Sequence, residues 1–173
     1  MAATWRSVAT NVLFAQNKTM LSVFNAVGSG VVLRPYRMWI LNNQTTAVVG
    51  VLTNLDIRKI TSTSGGTDNP PVAHDLNSSA LPAQVTSATN STVTPTDYYR
   101  RVIWSTDEPL GNATMTIDEF ETFPTLCCVW SMGYAYSALE PITLREGEGV
   151  AIINSGAVVG AADFIIEFTR AAS

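Results

Sequence analysis

Charge is scarce in this chain of 173 residues. Charged side chains make up 14% of the sequence, whereas about 25% is usual in a globular domain. The basic residues are scattered and form no run that could neutralise a phosphate backbone. Because the net charge is also negative, at −4, we do not expect the chain to bind nucleic acid.

Histidine and cysteine are almost absent, since the chain has only His74, Cys127 and Cys128. A zinc site needs three or four ligands of these types, so the sequence predicts no metal site and no cofactor. Adjacent residues of a strand point to opposite faces, so the two cysteines are not expected to form a disulfide with each other. We interpret them as reduced structural residues of a protein made in a reducing cytoplasm.

Long hydrophobic runs are missing as well. The most apolar stretch, residues 149–168, is interrupted by Asn154, Asp163 and Glu167, so we expect no membrane span. The N-terminal residues MAATWR lack the basic region and the apolar run of a secretory signal. The sequence therefore predicts a protein that does not associate with membranes.

Few side chains are suited to catalysis. His74 stands next to Asp75, which would allow a His–Asp dyad, but no Gly-x-Ser-x-Gly motif supplies a nucleophile. A single histidine in a polar loop is more often an ordinary hydrogen-bonding residue. Carboxylates cluster at residues 118–121 and 146–148, and we interpret both clusters as solvated edges. We therefore predict that the chain is not an enzyme and has no catalytic residues.

The chain is rich in threonine, with 21 residues, and in short stretches where polar and apolar residues alternate. A period of two is typical of strands, and Gly, Asn and Pro separate the stretches as turns. We predict strands over residues 19–26, 31–42, 47–59, 98–104, 115–120, 126–132, 142–144, 150–154 and 164–169. The segment 31–42 is either two short strands or one strand bent at Pro35. This density of strands predicts an all-β sandwich or barrel.

A long segment, residues 62–97, interrupts this pattern with 13 Ser or Thr residues, four prolines and no Lys or Arg. Structureless loops of this length are uncommon in compact domains. Apolar residues nevertheless recur along it, including Val72, Leu81 and Val85. We therefore expect an ordered excursion that covers a sheet face or a neighbouring subunit.

The N-terminal segment, residues 1–18, precedes the first predicted strand. Its large apolar side chains are Trp5, Val8, Val12, Leu13 and Phe14. Burying each of them is worth roughly 1.5–3 kcal/mol, so we expect them to contact a neighbouring subunit or another protein as a docking arm. The alternative is a short helix folded against the protein's own sheet, because spacings of three and four occur among these residues.

Two segments near the C-terminus carry a resemblance to a known fold. They are PITLREGEGVAI at residues 141–152 and ADFIIEFT at residues 162–169. Together they resemble the closing strands of tumour-necrosis-factor-like jelly rolls. That resemblance implies an antiparallel two-sheet jelly roll over residues 19–173, which includes the long loop, and it implies association around a threefold axis.

The chain beyond residue 20 also looks like virion proteins of tailed bacteriophages. The motifs are ITSTSGGT at 60–67, PVAHD at 71–75, SALP at 79–82 and RRVIWSTDE at 100–108. The resemblance implies a decoration or cement protein on the capsid surface, assembled in the host bacterial cytoplasm. Its expected partners are the major capsid protein and copies of itself, with a trimer favoured. The alternative is a glycan- or receptor-binding module of a phage tail or fibre, for which Tyr134 and Tyr136 are the candidate exposed aromatics.

Overall fold

The computed structural model of the chain describes residues 3–42, 52–105, 126–131, 142–156 and 159–172. Eleven strands occur in this part of the chain, and it contains no helix. The strands are β1 (Thr4–Leu13), β2 (Lys18–Asn25), β3 (Val31–Asn42), β4 (Leu52–Ser64), β5 (Thr67–Asp68), β6 (Val72–Ala73), β7 (Val85–Thr89), β8 (Thr92–Ser105), β9 (Leu126–Ser131), β10 (Glu148–Asn154) and β11 (Ala161–Ala172).

The strands form two antiparallel sheets. Sheet A has the order β6-β1-β11-β3-β9, and sheet B has the order β5-β7-β2-β10-β4-β8. Side chains from both sheets meet in one core, for example Trp5 and Phe164 from sheet A with Leu21 and Ile152 from sheet B. The predicted all-β, two-sheet antiparallel sandwich is therefore confirmed.

The eight longer strands are shared equally between the two sheets, and successive strands change sheet except at β4 and β8. When β5, β6 and β7 are set aside and the others are numbered one to eight along the chain, sheet A has the order 1-8-3-6 and sheet B has 2-7-4-5. This order is compatible with the predicted jelly roll, in which eight strands wind as two Greek keys.

In sheet A, burial alternates strictly along the central strand β11 from Ala162 to Phe168. On β11, Ala162, Phe164, Ile166 and Phe168 are all fully buried, whereas the residues between them face away from sheet B. Neighbouring residues of a strand point to opposite faces, so one strand supplies both an apolar inner face and a more polar outer face.

The N-terminal segment is neither a projecting arm nor a helix, so both predictions for residues 1–18 are wrong. Residues 4–13 form β1, which pairs with β11 from Thr4 opposite Thr169 to Leu13 opposite Ala161. Trp5 is only 2% exposed and its ring stacks on that of Phe168, with centroids 6.5 Å apart. β1 is thus part of the sandwich, and the protein's own core buries the apolar side chains that were expected to contact another protein.

A β-bulge in β1 explains the misleading helix-like spacing. The register with β11 shifts between Ala9 and Val12, and Asn11 adopts a left-handed backbone with φ of 53°. The Asn11 N–H donates a hydrogen bond of 2.7 Å to Asp163 Oδ1, which holds the bulge. Ala9 and Val12 can both point inward although they are three residues apart, because the bulge adds one residue.

The remaining strand predictions, except that for residues 142–144, agree in type with the structure wherever it describes them. The segment 31–42 is one strand, β3, with a bulge beside Pro35. The predicted strand 142–144 is reduced to a single bridge between Leu33 and Leu144. Predicted features at residues 47–51, 115–120 and 118–121, and the aromatic pair Tyr134 and Tyr136, lie outside the described residues.

The segment 62–97 is ordered, as predicted, and lies along one side of the protein's own sandwich. β6 pairs with β1 at the edge of sheet A, while β5 and β7 extend sheet B beyond β2. Ser7 of β1 and Ser87 of β7 are both buried and share a hydrogen bond. The excursion therefore joins the two sheets along one side and covers edges that would otherwise be unpaired.

Glu146 organises the turn between β2 and β3. Its Oε2 accepts a hydrogen bond of 3.1 Å from the Gly28 N–H, and its Oε1 accepts one of 2.7 Å from the Gly30 N–H. These two backbone donors favour the ionised carboxylate and lower the pKa of Glu146. The predicted acidic edge at residues 146–148 thus includes a carboxylate with a defined structural partner.

The structure predicts opposite outcomes for two substitutions in β1. Trp5→Ala should lower the free energy of unfolding by about 3–5 kcal/mol, because it leaves a large cavity in the core. Leu13→Ala, at a residue that is 69% exposed, should change it by less than about 0.5 kcal/mol. Urea denaturation followed by tryptophan fluorescence measures both. Equal effects of the two substitutions would contradict the placement of β1.

The two backbone hydrogen bonds that the Glu146 carboxylate accepts predict that the stability of the fold depends on pH. A carboxyl group whose pKa is lower in the folded state stabilises the fold above its unfolded pKa of about 4.3, and this contribution is lost as the pH falls through the folded value. Glu146→Gln should therefore be less stable than the parent at about pH 7, and the difference should shrink towards about pH 3. Urea denaturation at several pH values tests this, and a difference that does not vary with pH would contradict it.

Candidate binding surfaces

The five predicted contact residues divide into two groups in the structure. Trp5, Val12 and Phe14 are at most 7% exposed and belong to the protein's own core. They are therefore unavailable to a capsid or to a second subunit while the chain is folded. Val8 and Leu13 retain 38% and 69% of their surface, respectively, and remain candidates for a contact.

Val8 belongs to an apolar row that crosses the outer face of sheet A. Val8 on β1 lies opposite Ile165 on β11, and Ile165 lies opposite Trp39 on β3. The two flanking residues of Trp39 on β3, Met38 and Ile40, are fully buried in the core, so Trp39 faces outward. We call these three residues the apolar row, and Ile165 and Trp39 are both partly exposed.

A charged row runs beside the apolar row on the same face. Glu167 lies between Arg6 on β1 and Arg37 on β3 in the strand register. Its Oε2 is 3.1 Å from Arg37 Nε and accepts a hydrogen bond of 3.1 Å from Trp39 Nε1. Because Glu167 holds the indole in place, the charged row orients the largest side chain of the apolar row.

Tyr36, which precedes Arg37 on β3, carries a hydroxyl group whose pKa is raised. Burial of its ring raises the pKa of the Tyr36 hydroxyl, and the negative charge of Glu167 raises it further. The Arg37 guanidinium lies over the Tyr36 ring at 5.2 Å and over the Trp39 ring at 5.8 Å. Cation–π contacts of this kind are attractive, and Arg, Tyr and Trp side chains are enriched at the energetically important positions of interfaces.

The His74–Asp75 dyad that the sequence would allow is not formed. Among the described residues, the carboxylate within ion-pair distance of His74 Nε2 is that of Glu167, whose Oε1 is 3.8 Å away. Asp75 Oδ1 instead accepts a hydrogen bond of 2.9 Å from the backbone N–H of Asn77. Within the described ranges no cluster of three or more His, Cys, Asp or Glu side chains is arranged to hold a metal ion.

A cleft of about 440 Å³ opens between the excursion and the edge of the sandwich. Pro70, Pro71, Pro82 and Leu81 form its walls, and the Trp5 ring lies at its base. The Arg170 guanidinium lies over that ring, 5.1 Å from its centroid. These rigid, mostly apolar walls suit an apolar side chain rather than a charged ligand.

A second, polar pocket of about 440 Å³ lies on sheet B. Its charged lining residues are Lys18, Asp56, Arg58 and Arg101, and Tyr98 lies among them. Asp56 and Arg101 form a two-point ion pair, with Oδ1 to Nε at 2.6 Å and Oδ2 to Nη2 at 3.3 Å. This carboxylate raises the pKa of Arg101, chiefly through the hydrogen bond. We call this site the basic pocket.

Sequence reasoning missed the residues that dominate both outward surfaces. Glu167 is a polar residue and Trp39 an amphipathic one, and both lie within apolar strands. For Glu167 a signal was present, because strand alternation over residues 164–169 places its side chain on the outer face. Nothing local in the sequence pairs Asp56 with Arg101, because 45 residues separate them. That pairing depends on the register of β4 and β8.

Comparison with known proteins does not identify a family. No protein-family model matches this chain, and neither the curated proteins nor the solved structures give a match. Among the described residues, no helix is long and apolar enough to cross a membrane.

His74→Ala should have little effect, since the contact with Glu167 is long and partly solvated. Glu167 keeps its two closer partners, Arg37 and Trp39, when the imidazole is removed. We expect the free energy of unfolding to change by no more than about 1 kcal/mol. Urea denaturation of the variant measures this. A hydrolytic activity that is present in the parent and lost in the variant would contradict the prediction that the chain is not an enzyme.

Proposed function

We propose that this chain is a structural virion protein that decorates or cements the capsid of a tailed bacteriophage by binding between major capsid subunits. The sequence motifs at residues 60–67 and 100–108 support the virion assignment, because they resemble proteins of that group. The strand order of the two sheets supports the jelly roll that the resemblance implies. In this function the chain contributes surface contacts and stability rather than catalysis.

The observation that carries the proposal is the apolar row on the outer face of sheet A. Val8, Ile165 and Trp39 are aligned across three neighbouring strands, and each remains partly exposed on the outer face. Aligned apolar side chains rimmed by polar residues mark protein–protein contacts. A flat sheet face of this kind suits a neighbouring subunit better than it suits a small ligand.

The charged row gives the same face a means of selecting its partner. Glu167 is satisfied within the chain by Arg37 and Trp39, whereas Arg6 is exposed beside it. Polar rims contribute orientation and discrimination, while the apolar centre contributes most of the binding free energy. We propose that the same face contacts either the capsid or the other subunits of a trimer.

A substitution in the apolar row tests the proposal. Val8→Asp places a carboxylate in the row, and an unpaired charge buried in an interface should weaken binding to purified capsids about tenfold or more. Val27→Asp is the matched control, because Val27 is 75% exposed in the turn between β2 and β3. Co-sedimentation with particles measures the binding, and analytical ultracentrifugation of the free protein measures the fraction of trimer.

The expected result is that Val8→Asp reduces particle binding, the trimer fraction or both, while Val27→Asp behaves as the parent does. If Val8→Asp folds normally and retains both properties, the outer face of sheet A is not the contact. A chain that is monomeric at micromolar concentration and also on the particle would overturn the trimer.

The second candidate function is a glycan- or receptor-binding module of a tail or fibre. The basic pocket favours it, because cations, amides and hydroxyls line a concave site there. The number of copies in purified virions separates the two candidates. Hundreds of copies on the shell support decoration, whereas a handful at the tail supports the binding module.

A further inference from the structure

The basic pocket lies beside β4 and β8, the two strands at one edge of sheet B, which together form a bent two-stranded ribbon. The register between β4 and β8 shifts three times between Ile57 and Thr63, and each such irregularity bends and twists a strand pair. The turn between β7 and β8 then lies on β2, since the Asn90 N–H donates a hydrogen bond of 2.8 Å to the Thr19 carbonyl. A concave space therefore remains between the ribbon and the ends of β2 and β10.

The lining of this pocket is basic although the chain as a whole is acidic. Three cationic side chains, Lys18, Arg58 and Arg101, face one carboxylate, Asp56. Asp56 is already engaged by Arg101 through two hydrogen bonds. Among the described residues, no carboxylate lies within ion-pair distance of Lys18 or Arg58. The pocket therefore has an excess of two positive charges in a protein of net charge −4.

Arg58 is held in position yet lacks a complete set of acceptors. Its guanidinium lies over the Tyr98 ring, 4.2 Å from the centroid, and its Nη2 donates to the Thr96 carbonyl. Its Nε is buried and has no hydrogen-bond partner among the described residues. A buried donor without an acceptor costs free energy, more so when it is charged, so an added anion would be favoured at this position.

The rest of the lining consists mainly of amides and hydroxyls. Asn17, Asn90, Ser91, Thr92 and Ser155 surround the cations. Asn17 and Asn90 both have a left-handed backbone, with φ of 58° and 53°, and thus turn the chain at the rim of the pocket. Side chains of these types both donate hydrogen bonds to and accept them from the hydroxyl groups of a sugar.

We propose that the basic pocket binds an acidic saccharide, with its carboxylate on Arg58 and Lys18 and its hydroxyl groups on the surrounding amides and hydroxyls. The volume of about 440 Å³ lies within the range of sites for small organic ligands, roughly 300–1,000 Å³. The planar guanidinium of Arg58 suits a planar carboxylate, because it can donate two parallel hydrogen bonds to it. Arg101 already neutralises the Asp56 carboxylate, which would otherwise repel the carboxylate of the ligand.

This inference rests on the second candidate function, glycan binding, and specifies its ligand; it does not depend on the proposed structural function. The binding measurement uses the free protein, so its result is separate from the test of capsid binding by Val8→Asp. A decoration protein whose sheet A contacts the shell would present sheet B on the other side of the sandwich.

Isothermal titration calorimetry in low salt provides the test. The ligands are digalacturonic acid, its neutral counterpart galactobiose, and sodium acetate and inorganic phosphate as simple anions. We expect digalacturonic acid to bind the parent chain at least about tenfold more tightly than each of the other three, because it alone satisfies both the cations and the polar rim. Raising the salt concentration should weaken its binding.

Two substitutions and a matched control locate the site. Arg58→Gln and Lys18→Gln should each weaken binding of digalacturonic acid at least about tenfold. Arg34→Gln makes the same change of charge at an exposed residue of sheet A and should leave the affinity unchanged. Lys18 is exposed, so its variant remains informative if removal of Arg58 disturbs the ribbon.

The proposal is overturned by any of three results. The first is that digalacturonic acid does not bind at millimolar concentration. The second is that galactobiose, acetate or phosphate binds as tightly as digalacturonic acid. The third is that Arg34→Gln weakens binding as much as Lys18→Gln does, because the attraction would then come from the net charge of the protein and not from the pocket.

Discussion

The pairing of β11 with β1 on one side and β3 on the other is the interaction on which the structure depends. β11 supplies Phe164, Ile166 and Phe168 to the core, all of them fully buried. The same strand carries Glu167 on its outer face, where it holds Arg37 and Trp39. One alternating sequence therefore determines both the packing between the sheets and the surface that sheet A presents.

The central strands could be predicted from the sequence because their periodicity is regular and local. β1 could not, since its inward positions include Ser7 and Ala9 as well as Trp5, so no apolar alternation is visible. The bulge at Asn11 then changes the period from two to three, which mimics one turn of a helix. Tertiary packing on β11 decides the conformation of this segment.

The candidate sites were less predictable than the fold because they depend on register. Strand alternation is enough to place Glu167 outward once β11 is recognised. The contacts of Arg58 with Tyr98 and of Arg101 with Asp56, in contrast, depend on the register of β4 with β8, which is irregular at three places between Ile57 and Thr63. A shift of a single residue would turn these side chains to the other face, and the sequence contains no local signal that fixes it.

The position of β11 between β1 and β3 also fixes the order in which the chain can fold during synthesis. Thr4 pairs with Thr169, so β1 cannot complete this pairing until β11 has been synthesised. Until then β1 and β3 lack their shared neighbour, and the Trp5 side chain lacks its partner Phe168. Such distant pairing makes folding slow and leaves strand edges open to association with other nascent chains. A ribosome that stalls before residue 161 would release a chain whose sheet A cannot close.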